Sequence, residues 1–196
     1  MLAYLVGEKA QFKGVFPHLV RELGCQVTVI YSLHELHDSK YRFFVSDRYS
    51  DLIPQDLCEA FEGRCVNLHA SILPLNRGSY PIVHALARKE PVGYTIHAVA
   101  PKVDSGKIVW QEKVDPDFNS DTLFSLWYRV QLLMLARAAF LCHKLYNGVR
   151  VETSTVDVSR YVPSFHYRAS LSDVSQHMTH GWDTKISEFC ENMSQI

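Results

Sequence analysis

Three polar residues of the chain have types and spacing that suit the transfer of an acyl group to an amine. Asn67 and His69 lie two residues apart, and Asp104 follows a second apolar run downstream. An amine that attacks an acyl carbon forms a tetrahedral intermediate, which needs a hydrogen-bond donor for its oxyanion and a group that takes a proton from nitrogen. Asn67 can supply the donor, His69 can take the proton, and Asp104 can orient the imidazole. We therefore predict that these residues are catalytic.

The segments around these residues make the pattern more specific. An Asn-x-His pair by itself is also typical of a structural hydrogen-bonded pair. Here Leu73-Pro74 and Asn76-Arg77-Gly78 follow the pair, and the turn Val103-Asp104-Ser105-Gly106 lies downstream. Strand residues that are two apart point to the same side, so Asn67 and His69 are expected to face one site.

Alternating apolar runs and helical stripes predict an α/β protein. Strands are predicted at 2–6, 27–31, 41–46, 64–68, 93–99, 107–114 and 149–158. Helices are predicted at 12–23, 54–61, 81–88 and 120–146. This alternation favours a mostly parallel open sheet with helices on both faces. Residues 1–150 would form the catalytic domain, and 151–196 an extension that packs on it or mediates association.

Composition narrows the class of protein. The formal net charge of −1 gives no electrostatic footprint for nucleic acid, and no apolar run approaches the roughly 20 residues that span a membrane. The five cysteines are scattered, which is typical of free thiols in a reducing cytoplasm. The N-terminus is too short and uncharged for a signal peptide. His34 and His37 with Asp38 have loose metal-ligand spacing, but a surface loop is the favoured interpretation, so no metal is predicted.

The stretch from Asn67 to Gly106 resembles the 10-formyltetrahydrofolate-dependent formyltransferases. Their hallmark combines an Asn-x-His strand end, a Ser-x-Leu-Pro loop closed by Gly, a Thr-x-His strand and an Asp-x-Gly turn. The matching residues here are Asn67, His69, Ser71, Leu73, Pro74, Gly78, Thr95, His97, Asp104 and Gly106. The resemblance implies a Rossmann-like formyltransferase fold, the same catalytic trio and the folate formyl group as donor. Asn67 comes early for that family, which implies an abbreviated N-terminal half of the sheet.

The resemblance also implies binding residues. In that family the pterin is held mainly by main-chain atoms of two segments, which here are Ser50, Asp51, Leu52 and Ile53, and Ala98, Val99, Ala100, Pro101 and Val103. Ser71, Arg77 and Gly78 would contact the acceptor. Arg77 could instead be a solvated loop charge, and His97 could line the site or be purely structural. The run from Ser164 to Arg168 is a further candidate for the site, without an assigned element.

Departures from the larger family point to the small sugar N-formyltransferases, whose loop commonly reads Leu-Pro-x-Asn-Arg-Gly, as residues 73–78 do. Purine-pathway enzymes carry a Gly-rich phosphate loop where this chain has Gly7 to Gln11. Methionyl-tRNA enzymes add a basic domain, and formyltetrahydrofolate hydrolases add a regulatory one; we expect neither here. We therefore expect a cytoplasmic N-formyltransferase that moves the formyl group of 10-formyltetrahydrofolate to the amine of a nucleotide-linked amino sugar. Members of this group are often homodimers, which leaves that state open here.

Two alternatives remain at this stage. One is a purine-type enzyme that formylates a ribonucleotide amine. The other is a protein that binds folate or a nucleotide sugar without turnover.

Overall fold

The computed structural model describes residues 1–8, 10–37 and 40–194. Lys9 and Asp38, which belong to the loop after the first strand and to the loose metal-ligand spacing, lie outside the described residues. The strands are β1 (Leu2–Val6), β2 (Val27–Ile30), β3 (Phe43–Asp47), β4 (Cys65–His69), β5 (Arg77–Gly78), β6 (Gly93–Ala98), β7 (Ile108–Lys113) and β8 (Phe165–His166). The α-helices are α1 (Val15–Glu22), α2 (Gln55–Ala60), α3 (Pro81–Ala87), α4 (Leu123–Tyr146), α5 (Ser172–Ser175) and α6 (Ile186–Met193). Short 3₁₀ helices cover Leu33–His37, Arg168–Leu171 and Gly181–Asp183.

Six strands form one sheet in the order β2-β1-β3-β4-β6-β7. The pairs β1–β2, β1–β3 and β3–β4 are parallel. Two contacts show that β6 runs antiparallel to β4. The side chain of Asn67 lies beside that of His97. The carbonyl of Cys65, at the start of β4, accepts a hydrogen bond from the amide of Val99, just beyond the end of β6. The predicted α/β class is confirmed, and its parallel part is the run of four strands that begins with β2.

The chain is divided into two compact units. The first contains residues 1–69, 96–110 and 133–154, and the second contains residues 70–95, 111–132 and 155–196. Strands β6 and β7 and helix α4 each continue from one unit into the other. The boundary predicted at residue 150 stays a prediction.

The first unit is built around buried apolar strands. All five residues of β1 are buried, as expected for a strand with parallel neighbours on both sides. One apolar cluster gathers residues of β1, β2, β3, β4 and α2 with their connections: Ala3, Leu5, Ile30, Leu36, Tyr41, Phe44, Leu57, Phe61 and Cys65. Across β1, the ring of Tyr4 stacks on that of Phe16 of α1, with centroids 4.6 Å apart. These contacts hold β4, the strand that carries Asn67 and His69, in a fixed setting.

In the second unit, strand β8 pairs with β5, which lies in the segment that follows β4. Strand β8 is parallel to β5, with Arg77 opposite Phe165 and Gly78 opposite His166. The amide of Arg77 donates to the carbonyl of Ser164 at 3.1 Å, and that of Ser79 donates to the carbonyl of His166 at 2.9 Å. Within residues 164–168, to which the sequence assigns no element, Phe165 and His166 therefore form one strand of a two-stranded ribbon, and Arg168 begins a 3₁₀ helix.

Two stacked imidazoles fix this ribbon to α3. The rings of His84 and His166 are 3.7 Å apart and nearly parallel, at 5°. Asn76 donates to Glu90 through Nδ2 at 2.8 Å, so its Oδ1 faces His166 Nε2 at 3.0 Å, and that nitrogen carries the proton. The ring stack thus joins the ribbon to α3, and hydrogen bonds connect His166 through Asn76 to Glu90, which lies beyond the end of α3.

Most of the elements predicted from the sequence are present in the structure, and one is not. The strands predicted between residues 2 and 114 are confirmed to within two residues at each end, whereas α1 and α4 each begin three residues later than predicted. The prediction of a strand at 149–158 is wrong. Only one isolated bridge, between Ser154 and Trp110, forms there. No helix of the described residues is long and apolar enough to cross a membrane.

The stacked pair predicts that acid weakens the fold. The pKa of His84 is lowered from 6.5 to about 4, mainly by burial and to a smaller extent by electrostatic repulsion from His166. The unfolded chain therefore takes up this proton first, and the contribution of His84 to stability, complete above pH 6.5, is lost as the pH falls toward 4. We expect a slope of up to about 1.4 kcal/mol per pH unit in this window. Urea unfolding at several pH values would measure it.

A matched pair of variants isolates the stacked histidine. His84→Phe keeps an aromatic ring against His166 and should flatten the acid slope. His18→Gln, at an exposed position of α1, should leave the slope unchanged. An equal slope in His84→Phe and in the natural protein would contradict this origin.

Candidate active site

The three residues predicted to be catalytic come together around one carboxylate. The side chain of Asp104, in the connection between β6 and β7, is only 8% exposed. Its Oδ2 lies 3.5 Å from His69 Nδ1, and its Oδ1 accepts a hydrogen bond from Asn67 Nδ2 at 3.3 Å. Asn67 and His69 reach it from the same strand, as their spacing predicts. Asn67, His69 and Asp104 therefore form a compact cluster within the first unit.

His97 completes this cluster, although the sequence left its role open. Its Nε2 lies 3.1 Å from Asn67 Nδ2 and 3.5 Å from Asp104 Oδ1. Its Nδ1 donates to the carbonyl of Ala98 at 2.8 Å, so Nε2 carries a lone pair and accepts from Asn67. The amide hydrogens of Asn67 thus point toward His97 and Asp104. This arrangement fixes which end of the Asn67 side chain faces the carboxylate.

The turn that carries Asp104 depends on a close backbone approach. Asp104 has a φ of 47°, in the left-handed region that Asp tolerates better than most residues. A Cβ placed on Gly106 would lie 1.7 Å from the carbonyl oxygen of Ala98. Only glycine fits there, which gives the Asp-x-Gly spacing a physical reason.

A second buried hub shapes the loop after His69. The hydroxyl of Thr95 donates to the carbonyl of Ser71 at 2.6 Å and accepts from the amide of Leu73 at 3.0 Å. Gln111 Nε2 donates to the same oxygen at 3.0 Å. One donor and two acceptor positions are all that a hydroxyl offers, so Thr95 is fully bonded. The first residue of the Thr-x-His pair thus fixes this loop.

The predicted acceptor residues lie in the same loop, in the second unit. Ser71 is 1% exposed and its hydroxyl donates to the carbonyl of Leu75 at 2.6 Å, so the side chain braces the loop. Gly78 has a φ of 87°, and a Cβ there would lie 2.3 Å from the carbonyl oxygen of His166. Arg77 is half-buried, and its Nε has no hydrogen-bond partner. Contacts of these three residues with an acceptor stay predictions.

The segments predicted to hold the pterin, 50–53 and 98–103, both lie in the first unit. Leu52 is 64% exposed, whereas Ile53 packs against the apolar cluster. The amide of Ala98 donates to the carbonyl of Lys107 and that of Val99 to the carbonyl of Cys65, which fixes the start of the second segment. Val103, at its end, is 38% exposed. Pterin contacts by Ser50, Asp51 and the other named residues stay predictions.

Within the described residues, no group of three or more His, Cys, Asp or Glu side chains could hold a metal ion. The rings of His34 and His37 are 6.4 Å apart in a 3₁₀ helix. All five cysteines are free.

Comparison with known proteins shows which families and structures this chain is similar to. A family model described as "Formyl transferase" matches residues 32–133. The methionyl-tRNA formyltransferase of Bacillus cytotoxicus is 39% identical over 72 residues, which are 36% of this chain and 23% of that protein. The chain spans less than half the length of the curated relatives it matches.

Solved structures share the fold over a larger part of the chain. The formyltransferase PseJ of Anoxybacillus kamchatkensis, in complex with UDP-4,6-dideoxy-4-formamido-L-AltNAc and tetrahydrofolate, has a TM-score of 0.79 and 23% identity over 96% of this chain and 97% of that one. The N-formyltransferase of Helicobacter canadensis, with folinic acid and dTDP-3-aminofucose, has a TM-score of 0.71 and 15% identity over 97% of this chain and 78% of that one.

The contact between Gly106 and Ala98 predicts that the Asp104 turn tolerates no side chain at position 106. Gly106→Ala would force the backbone apart by more than an ångström, and we expect a loss of stability of about 2 kcal/mol or more. Gly14→Ala is the matched control, because a Cβ there meets nothing within 4 Å. Denaturant unfolding of both variants would measure the difference. Equal stability of the two would show that this close approach does not constrain the turn.

Proposed function

Because the chain belongs to the formyl transferase family, we propose that it is an N-formyltransferase that moves the formyl group of 10-formyltetrahydrofolate to the amine of a nucleotide-linked amino sugar. The observation that carries the proposal is the set of contacts that Asp104 makes with Asn67 and His69. It combines an uncharged hydrogen-bond donor, a proton acceptor and an orienting carboxylate, the groups that transfer of an acyl group to an amine requires.

Asn67 is proposed to stabilise the negative charge that develops on the formyl oxygen. Its amide is oriented by His97 at 3.1 Å and by Asp104 at 3.3 Å. The longer of these two hydrogen bonds is the one that a formyl oxygen would displace most easily, since hydrogen bonds weaken with distance. The amide then offers a donor without carrying charge into the site.

His69 is proposed to move the proton. It takes the proton from the acceptor nitrogen as the new C–N bond forms and returns it to the folate nitrogen as the old C–N bond breaks. Asp104, 3.5 Å from Nδ1, stabilises the imidazolium between these two steps. The proton released by the acceptor thus ends on the departing nitrogen, and the reaction needs no further reactant.

The chain has surface suited to a folate in the same unit as these groups. When bound, 10-formyltetrahydrofolate supplies the formyl group. Leu52 and Val103 are exposed apolar side chains in the two segments that the family resemblance assigns to the pterin. A flat pterin ring placed against them would be expected to cover apolar surface that is now in contact with water.

The acceptor class is supported by the solved structures. Both of those described above hold a nucleotide-linked sugar together with a folate compound. The curated relatives are methionyl-tRNA formyltransferases, but their similarity covers a smaller share of the chain. A homodimer and a cytoplasmic location stay predictions.

The decisive measurement is mass spectrometry of a panel of nucleotide-linked amino sugars incubated with the protein and 10-formyltetrahydrofolate. We expect one acceptor to gain the mass of one CO. In the same assay, His69→Ala and Asp104→Asn should each lower kcat by a factor on the order of 10² or more. His18→Ala and Asp56→Asn change exposed residues of the same types and should leave kcat unchanged. Turnover by His69→Ala at the natural rate would exclude the proposed proton transfer.

His97 is expected to act as a positioning residue through Asn67. His97→Phe keeps a ring but removes the lone pair that accepts from Asn67, so the amide loses one of its two orienting partners. We expect kcat to fall about tenfold while KM for the folate changes little, since only the transition state uses the aligned amide. His97→Gln, whose side-chain oxygen can accept the same hydrogen bond, should recover part of the rate. A change confined to KM would argue for a role in binding instead.

A further inference from the structure

The first unit contains a cavity at the edge of the sheet opposite the cluster around Asp104. Leu2, Phe43 and Cys65 line it, and they are the first residues of the neighbouring parallel strands β1, β3 and β4. The last turns of α4 form the other side. Strand β4 ends at His69, so the cavity and the proposed catalytic residues lie at opposite ends of one strand. A molecule in the cavity would therefore leave the cluster free.

The walls of the cavity are apolar and uncharged. Cys25, Cys65 and Cys142 line it, and burial raises the pKa of all three thiols, to about 11 for Cys65 and about 12 for Cys142. A protonated cysteine packs as a small hydrophobic group. Apart from Arg64 and Gly63, the other described residues of the lining are aliphatic or aromatic. Such walls favour a ligand with an apolar body.

The size of the cavity limits that ligand. It encloses about 430 Å³, a volume that includes the solvent at its mouth. Small-molecule sites span roughly 300 to 1,000 Å³, so this cavity belongs to the lower part of that range. It is also narrow. A slender alkyl chain therefore fits its shape better than a broad ring system.

Arg64 is the one charged residue among the described residues that line the cavity. The residue is exposed, and its guanidinium donates to the carbonyl of Arg42 at 3.3 Å and to that of Ala60. The guanidinium carbon also lies 5.4 Å from the centre of the Phe61 ring. These contacts hold the cation in place but use only two of the five N–H donors that a guanidinium has. Three donors remain for an anionic ligand.

We propose that this cavity binds a small carboxylate with an unbranched apolar chain, the chain lying between the strand ends and α4 and the carboxylate pairing with Arg64. Each methylene that leaves water for the apolar walls favours binding. A guanidinium and a carboxylate form charge-assisted hydrogen bonds, which would fix the direction in which the chain enters. Recognition of this ligand does not involve Asn67, His69 or Asp104, so it is independent of formyl transfer.

Calorimetric titration of the full chain with octanoate, 1-octanol and acetate tests the two parts of the proposal separately. We expect octanoate to bind, and 1-octanol, which lacks the charge, and acetate, which lacks the chain, to bind at least about tenfold more weakly. Arg64→Gln should weaken octanoate about tenfold and leave 1-octanol unchanged. Arg150→Gln removes an exposed charge of the same unit that does not line the cavity, and it should bind octanoate normally.

The cysteines provide a matched test of where octanoate binds. Cys142 lines the cavity, whereas Cys190 belongs to the second unit; both are half-buried, and burial raises the pKa of both thiols. Octanoate should slow the labelling of Cys142 by N-ethylmaleimide and leave that of Cys190 unchanged, as mass spectrometry of the peptides would measure. Cys142→Met places a larger, adaptable side chain in the cavity and should weaken octanoate at least about tenfold, whereas Cys190→Met should not.

Three results would overturn the inference: no binding of octanoate to the natural protein, natural affinity in Arg64→Gln, or displacement of octanoate by tetrahydrofolate. Because Arg64 is exposed, its variant keeps the test valid even if Cys142→Met does not fold. His69→Ala should bind octanoate as the natural protein does. Loss of formyl transfer in that variant, or its absence from the natural protein, therefore leaves the cavity site untouched, and failure of octanoate to bind leaves the proposed reaction untouched.

Discussion

The carboxylate of Asp104 faces polar atoms of three side chains, those of Asn67, His69 and His97, at 3.3 to 3.5 Å. A carboxylate that is 8% exposed loses most of its hydration, and the hydrogen bond from Asn67, with His69 Nδ1 at 3.5 Å, replaces part of the water that burial removes. The geometry of β4, of β6 and of the turn between β6 and β7 is therefore tied to one buried carboxyl group. Strand β4 carries both Asn67 and His69, and β6 carries His97, which orients the amide of Asn67.

The Thr-x-His pair of β6 serves two separate purposes. His97 accepts a hydrogen bond from Asn67 in the first unit, and Thr95 binds the carbonyl of Ser71 and the amide of Leu73 in the second. Both side chains are buried and bonded. A short run of strand thus provides two polar anchors, one for the amide that is proposed to stabilise the oxyanion and one for the loop that carries Arg77.

The predictability of each feature depends on how far apart its partners lie in the chain. Asn67 and His69 could be paired from spacing alone, because a strand sets their common direction. The contact of His97 with Asn67 could not, since it requires two antiparallel strands whose register no local pattern encodes. The incorrect prediction of a strand at 149–158 also arises because local residue types do not show whether a partner strand is available. The Val and Thr residues of this segment favour extended structure, but only Ser154 finds a partner strand.

Strand β8 adds a consequence for the order in which the chain acquires its structure during synthesis. The first four strands of the sheet are complete once residue 69 has left the ribosome, and their pairings join near neighbours in sequence. The loop of Arg77 must wait for Phe165 and His166, nearly ninety residues later. Until then His84 lacks its stacking partner and the ribbon edge is unpaired. Strands β1 to β4 are thus free to pair early, while the ribbon of β5 and β8 is among the last parts of the chain to form.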